Sequence, residues 1–264
     1  MKIIYAMITT NCNLNCPHCD IKRNQEENYD PDLFLKNLKE WDGYRILFGG
    51  EPSIVQIRAQ KALPFCDSIS TNLVNTPPNL FYAIKEQHIP IATSWNPQRF
   101  TKNQYHAWLM HIEELSKTNE ITCLITLTSD LIEADGTKQF YAMLSRAKDS
   151  FSYIQFEQLH DPSKDQSFYD AVDKWLVSIY RKVKRKSLIH LFPQFQKNTV
   201  WKFDCSQTYT MYPDGSIHYG CPEYTTTHVL SKCYQCDHVS VCQPCRLQSC
   251  CTRPNRLFEE IQKE

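Results

Sequence analysis

Six short apolar runs, most of them followed by a longer amphipathic one, predict an α/β fold: a partial (β/α)6 TIM-like barrel with a small carboxy-terminal cysteine-rich domain. Two further observations shape that expectation. The alternation stops around Ser187–Val200, and beyond Trp201 the composition turns to Cys, Pro, His and Tyr with little aliphatic content. Eleven of the thirteen cysteines gather at the two ends of the chain, with Cys66 and Cys123 between them. The expected organisation is a barrel over 1–186, a connector over 187–204 and the cysteine-rich domain over 205–264.

Lys2–Thr9 reads as the first strand, and a cysteine loop follows it. Pro31–Trp41 has helical spacing, with Asp30 placed to cap it and proline at the first helical position. Tyr44–Phe48 is a strand that ends in Gly49-Gly50. Further strands are expected near Ser68–Thr71, Ile89–Ser94, Ile121–Thr128 and Tyr153–Leu159, with helices near Pro78–Gln87, Lys102–Ser116, Gly136–Lys148 and Gln166–Lys184. Strands that alternate with helices must run parallel, because each helix crosses over to start the next strand. Six such units suit an open barrel better than a closed eight-fold one.

Lys plus Arg and Asp plus Glu are 29 each, so no net field recruits nucleic acid or an anionic membrane. The apolar start runs straight into Thr9-Thr10-Asn11-Cys12 without a small-residue cleavage site, and no segment reaches the roughly 18 apolar residues of a membrane span. A cytoplasmic protein is expected. In a reducing compartment such cysteine density points to metal or catalysis rather than disulfides.

Cys12-x3-Cys16-x2-Cys19 places three thiols on one short loop. Thiolates are the ligands that iron–sulfur clusters prefer, and three of them leave one iron of a 4Fe–4S cluster open. A zinc knuckle completed by His18 is the alternative. Gly49-Gly50-Glu51-Pro52 follows the second strand, where glycines let a ligand approach the backbone and a carboxylate or carbonyl can accept from an ammonium group.

These two motifs, one βα unit apart, resemble those of the radical S-adenosylmethionine (radical SAM) superfamily. The resemblance implies that Cys12, Cys16 and Cys19 hold a 4Fe–4S cluster whose open iron chelates S-adenosylmethionine. One electron from an external donor of the flavodoxin or ferredoxin type then yields a 5′-deoxyadenosyl radical, which abstracts a hydrogen atom from the substrate. It further implies cofactor contacts from Gly49, Gly50, Glu51, Pro52, Thr71, Asn72 and Ser94, the last three at the ends of the third and fourth strands. The family has an aspartate where this chain has Asn96.

Cys205, the Pro213-Asp214-Gly215 turn, Cys221, Cys233-x2-Cys236-x5-Cys242-x2-Cys245 and the pair Cys250-Cys251 resemble the SPASM extension of such enzymes, which carries auxiliary 4Fe–4S clusters. The gaps depart from that pattern: five residues separate Gly215 from Cys221 where four are usual, and two separate Cys242 from Cys245 where three are usual. By position, one cluster would take Cys233, Cys236, Cys242 and either Cys250 or Cys251. A second would take Cys205, Cys221 and Cys245, its fourth place open or filled by the remaining terminal cysteine or His218. A zinc ribbon is the competing reading of the two C-x2-C knuckles.

Cys123, on the fifth strand, is a candidate hydrogen-atom donor if it faces the barrel interior, against a plain buried thiol. Glu157 and His160 lie where barrel sites gather their chemistry, and Arg181–Lys186 reads as the solvated end of a helix. The resemblance implies a peptide substrate modified after translation, with a separate recognition protein as a possible partner. A small-molecule dehydrogenase is the second reading, and a zinc-stabilised binding module without catalysis is the third.

Overall fold

The computed structural model describes residues 2–17, 19, 21, 28–158, 166–182 and 208–219. Among them are eight strands: β1 (Ile3–Met7), β2 (Tyr44–Phe48), β3 (Ser68–Ser70), β4 (Ile91–Ser94), β5 (Ile121–Leu127), β6 (Tyr153–Gln158), β7 (Thr208–Met211) and β8 (Ile217–Tyr219). The α-helices are α1 (Pro31–Glu40), α2 (Gln56–Ala62), α3 (Pro78–Glu86), α4 (Lys102–Leu115), α5 (Ser129–Ile132), α6 (Ala134–Ala147) and α7 (Gln166–Lys182). The α/β class and the run of strand–helix units are as the sequence predicts. Two helices were not anticipated: α2 crosses between β2 and β3 in only seven residues and buries just Ala59 and Ala62, and the short α5 precedes α6.

The described residues form two compact units. The first takes in residues 2–93, 98–121 and 208–219. Here β1 to β4 pair in parallel in chain order, with Ile3 opposite Tyr44, Ile46 opposite Ser68 and Ile69 opposite Ile91. Side chains alternate across a strand, so Ile4, Ala6, Leu47, Ile69 and Thr93 share a buried face. The helices cover it: Trp108 of α4, fully buried, donates its Nε1–H to Thr93 Oγ1 at 3.0 Å. On the opposite face Tyr5 and Phe48 meet edge to face, ring centroids 5.4 Å apart, and both stay half-buried.

Local chemistry sets the helix starts. Asp30 accepts from the N–H groups of Asp32 and Leu33 at 3.1 and 3.0 Å, and Pro31 opens α1 with no N–H to satisfy. Thr101 and Gln104 cap α4 reciprocally, each side chain bonding the other's backbone N–H.

The expected tight turn is present, and its strands reach further than expected. Gly215 at φ +82° and Asp214, which accepts from Ser216 N at 2.9 Å, reverse the chain between β7 and the antiparallel β8. β7 then pairs in parallel with β1, Ile3 opposite Thr208, so that β1 has partners on both sides. The turn is tied to α1 through Asp30 N donating to Pro213 O and Asn37 Nδ2 donating to Gly215 O, at 3.1 and 2.8 Å.

The second unit takes in residues 94–97, 122–158 and 166–182. β5 and β6 pair in parallel, Cys123 opposite Ile154 and Ile125 opposite Phe156. The β5 residues alternate strictly between buried and half-buried. Phe140 of α6 centres an aromatic core with Trp95, Phe156 and Trp175 of α7, centroids 6.3, 6.0 and 5.5 Å away. Among the described residues no helix is long and apolar enough to cross a membrane.

Candidate functional site

The pairing of β1 with β2 runs on past the strand ends. Ile8 N donates to Phe48 O at 2.9 Å, Gly50 N to Thr9 O at 2.8 Å and Glu51 N to Asn11 O at 2.8 Å. The cysteine loop is thereby laid along Gly49–Glu51. Only glycine permits so close an approach. Gly49 has φ +152°, and a side-chain carbon there would meet Thr9 O at 2.4 Å; at Gly50 it would meet Asn11 O at 2.1 Å.

On this support sit Cys12 and Cys16, half-buried, and Cys19, exposed, none of them in a disulfide. Cys19 N donates to Cys16 O at 3.2 Å in a tight turn, and Leu14 N points at Cys12 Sγ from 3.4 Å. Among the described residues no three His, Cys, Asp or Glu side chains converge on one ion position. Three soft, accessible sulfur donors on one loop are a set that fits a cubane cluster, whose thiolates bind at separate corners.

Glu51 is fully buried, and all its bonds are internal. Oε1 accepts from Ser53 N at 2.9 Å and from Thr71 Oγ1 at 2.7 Å, while Oε2 accepts from Asn72 N at 2.7 Å. A buried carboxylate is retained only when so satisfied. It clamps the end of β2 to the end of β3, and Pro52 opens the short 3-10 turn (Pro52–Val55) that follows it.

Asn72 relays the clamp to the cysteine loop. Its Nδ2 donates to Asn13 Oδ1 at 2.7 Å and lies 4.0 Å from Cys12 Sγ, and its Oδ1 accepts from Val74 N at 3.0 Å. Cys12, Gly49, Gly50, Glu51, Thr71 and Asn72 are therefore brought together in the first unit. Asn13 joins them without having been anticipated; its place between two of the cysteines was the available signal.

Other expected residues lie elsewhere. Ser94, half-buried at the end of β4, belongs to the second unit. Cys123 needs a correction. It shares the buried face of β5 with Ile121, Ile125 and Leu127, and the β6 residues on that face include Phe156, which packs on Phe140 and Trp175 of the helix layer. Thr122, Leu124, Thr126 and the half-buried Glu157 occupy the other face. Cys123 is a core thiol facing helices, and the donor role expected of it has no support in its placement.

Cys66, half-buried, also lies away from the loop: its thiol donates to Ala62 O at 3.4 Å, and desolvation pushes its pKa up to about 12 against the opposing pull of Arg45. His218 packs edge-on against Tyr212, centroids 4.8 Å apart, inside the β7–β8 hairpin. Arg181 and Lys182 are exposed at the end of α7. His18, His160, residues 183–186 and the cysteines at 205, 221, 233, 236, 242, 245, 250 and 251 lie outside the described residues.

No protein-family model matches the chain, and no curated protein does. Solved structures do. The fold is similar to that of anSMEcpe with bound AdoMet (S-adenosylmethionine) over 98% of this chain and 96% of that one, with a TM-score of 0.61 and 14% identity. It is also similar to Streptococcus suis SuiB bound to its precursor peptide SuiA, with a TM-score of 0.64 and 10% identity. SuiB alone gives a TM-score of 0.58 at the same identity. Against SuiB the match covers 90% of this chain but 64% of that one, so the chain spans under two thirds of SuiB's length. At these identities the likeness shows a shared fold.

Proposed function

We propose that the chain is a radical SAM enzyme whose amino-terminal loop holds a 4Fe–4S cluster through Cys12, Cys16 and Cys19. The observation that carries the reading is how that loop is seated. Three accessible thiols lie along a glycine pair, while the nearby Glu51 carboxylate is consumed by its own framework. The ligand is left to the thiols and to the backbone of Gly49 and Gly50, rather than to a side-chain carboxylate. When bound, the cluster and S-adenosylmethionine would supply reductive cleavage of the sulfonium and a radical able to abstract hydrogen. The chain's own residues would anchor, orient and shield. The fold it shares with AdoMet-bound anSMEcpe supports this reading.

A peptide substrate is part of the proposal, on the strength of the likeness to SuiB with its precursor peptide. Auxiliary clusters held by the cysteines of 205–264, and an external one-electron donor, complete it.

The test is anaerobic purification with iron and sulfide counting, then a search for 5′-deoxyadenosine after reductant and S-adenosylmethionine are added. Wild-type protein should form it, and the Cys12→Ala, Cys16→Ala, Cys19→Ala triple variant should not. A fully clustered wild type that forms none overturns the proposal.

A further inference from the structure

Leu73, next to Asn72, has φ +56°. A bulky apolar residue takes that left-handed conformation only where its surroundings impose it, and such strain gathers at functional sites. Packing imposes part of it, since the Leu73 side chain is fully buried. A hydrogen bond imposes the rest. Nδ1 of His111, half-buried on α4, lies 2.6 Å from the Leu73 carbonyl oxygen. A carbonyl has no proton to give, so Nδ1 must carry its hydrogen and donate it. The His111 ring rests in turn on Phe81 of α3, centroids 5.1 Å apart.

The same turn carries the link to the cysteine loop. Leu73 N donates to Thr71 Oγ1 at 3.3 Å and Val74 N to Asn72 Oδ1 at 3.0 Å. Between these two bonds the Asn72 amide reaches Asn13 and Cys12. If Leu73 relaxed to an ordinary backbone conformation, the peptide planes on either side would rotate and carry Asn72 with them.

We propose that His111 is a positioning residue for the cofactor loop: by donating to the Leu73 carbonyl it keeps this turn in its strained form and so holds the Asn72 amide against Asn13 and Cys12. The inference rests on reading that loop as the holder of a cluster and S-adenosylmethionine. His111 itself touches neither; it acts through the backbone. His88 provides a comparison within the same chain. It too has a positive φ, +50°, and its Nδ1 lies 3.2 Å from the Thr118 carbonyl, but it is exposed and forms no part of the network around Asn72.

The test uses the full chain, reconstituted anaerobically, as wild type, His111→Leu, His111→Gln and His88→Leu. Three quantities are read: iron and sulfide per chain, the dissociation constant for S-adenosylmethionine with the spectral change it causes in the reduced cluster, and amide hydrogen exchange over residues 71–76. His111→Leu is expected to keep wild-type iron and sulfide and to exchange faster at 71–76. It should bind S-adenosylmethionine about tenfold more weakly, the scale of losing an outer-shell partner.

His111→Gln, whose amide can donate to the same carbonyl, should stay within about threefold of wild type, and His88→Leu should change none of the three. Wild-type binding or unchanged exchange in His111→Leu overturns the inference, as does a glutamine variant no better than the leucine one. Should His111→Leu fail to fold, His111→Gln decides alone: near-wild-type binding upholds the inference and a tenfold loss overturns it. A clustered wild type that does not bind S-adenosylmethionine overturns the proposed function and this inference together. A loss pattern that ignores the donor at 111 overturns only the latter.

Discussion

Asn96 and Thr126 pair through both ends of one amide: Asn96 Nδ2 donates to the Thr126 carbonyl at 2.6 Å, and its Oδ1 accepts from Thr126 N at 3.3 Å. The side chain thus continues the pairing that Trp95 N makes with Leu124 O at 2.9 Å. A carboxylate at 96 could accept from Thr126 N but would turn its other oxygen on the Thr126 carbonyl. The departure from an aspartate at this position therefore has a local cause.

Asn96→Asp is expected to destabilise the fold by about 1–3 kcal/mol, because the half-buried Thr126 carbonyl, which keeps Thr128 N as one donor, loses the Asn96 amide and faces an acceptor instead. Urea unfolding at neutral pH measures it. The sign with pH is fixed: the protonated acid can donate where the anion cannot, so the loss should shrink as pH falls toward about 4. An equal deficit at both ends of that range counts against this account.

Glu51→Gln should also destabilise, again by about 1–3 kcal/mol, since the amide retains one accepting oxygen and turns an NH2 group toward a donor. Ser53 N, Thr71 Oγ1 and Asn72 N all donate to the present carboxylate, so at least one donor is stranded. Thermal unfolding of the cluster-free protein is the measurement, which separates the clamp from any effect on cofactor binding.

Gly50→Ala places a methyl group where Asn11 O now stands, 2.1 Å away. Backbone must shift, and what shifts is the stem of the cysteine loop. The variant is expected to retain its far-UV circular dichroism while reconstituting with less iron and sulfide than wild type. Wild-type iron content would show that the loop does not need its seat.

Cysteine alkylation should sort the thiols by surroundings. Cys19 is exposed and Cys12, Cys16 and Cys66 are half-buried, but desolvation raises the Cys66 thiol pKa to about 12. The thiolate is the reacting form, so near pH 8 iodoacetamide should label Cys19 first and Cys66 far more slowly, as read by peptide mass spectrometry. Because the folded-state pKa of Cys66 lies above its value in an unfolded chain, the stability it contributes holds below about pH 9 and is lost as pH climbs toward about 12. Prompt labelling of Cys66 in folded protein contradicts the burial argument.

Much of the layout was legible because it rests on local rules. Asp30-Pro31 announces α1, and Pro213-Asp214-Gly215 announces a reversal. At Gly49 and Gly50 the sequence announced a close approach but assigned it to a ligand, whereas the backbone that comes close is that of the cysteine loop. α2 was not legible, since seven residues with two buried alanines carry hardly any periodic signal.

Side-chain allegiance was less legible than position. The sequence places Glu51, Thr71 and Asn72 at strand ends, but not that they bond to one another. Cys123 shows the limit from the other side. Alternation along β5 separates two faces, and the sequence does not say which one the helices cover until Phe156, Trp175 and Phe140 are seen to pack. His111 is farther still, because its partner is a backbone carbonyl that no side-chain pattern announces.

The pairing of β7 with β1 bears on how the protein is made. Ile3 leaves the ribosome some 200 residues before its partner Thr208. Until then the strand that leads into the cysteine loop has an open flank, the kind of edge that recruits foreign strands. A nascent or truncated chain that stops short of residue 208 should therefore aggregate or engage chaperones, and the cysteine loop gains its full support only once residues 208–211 have been made.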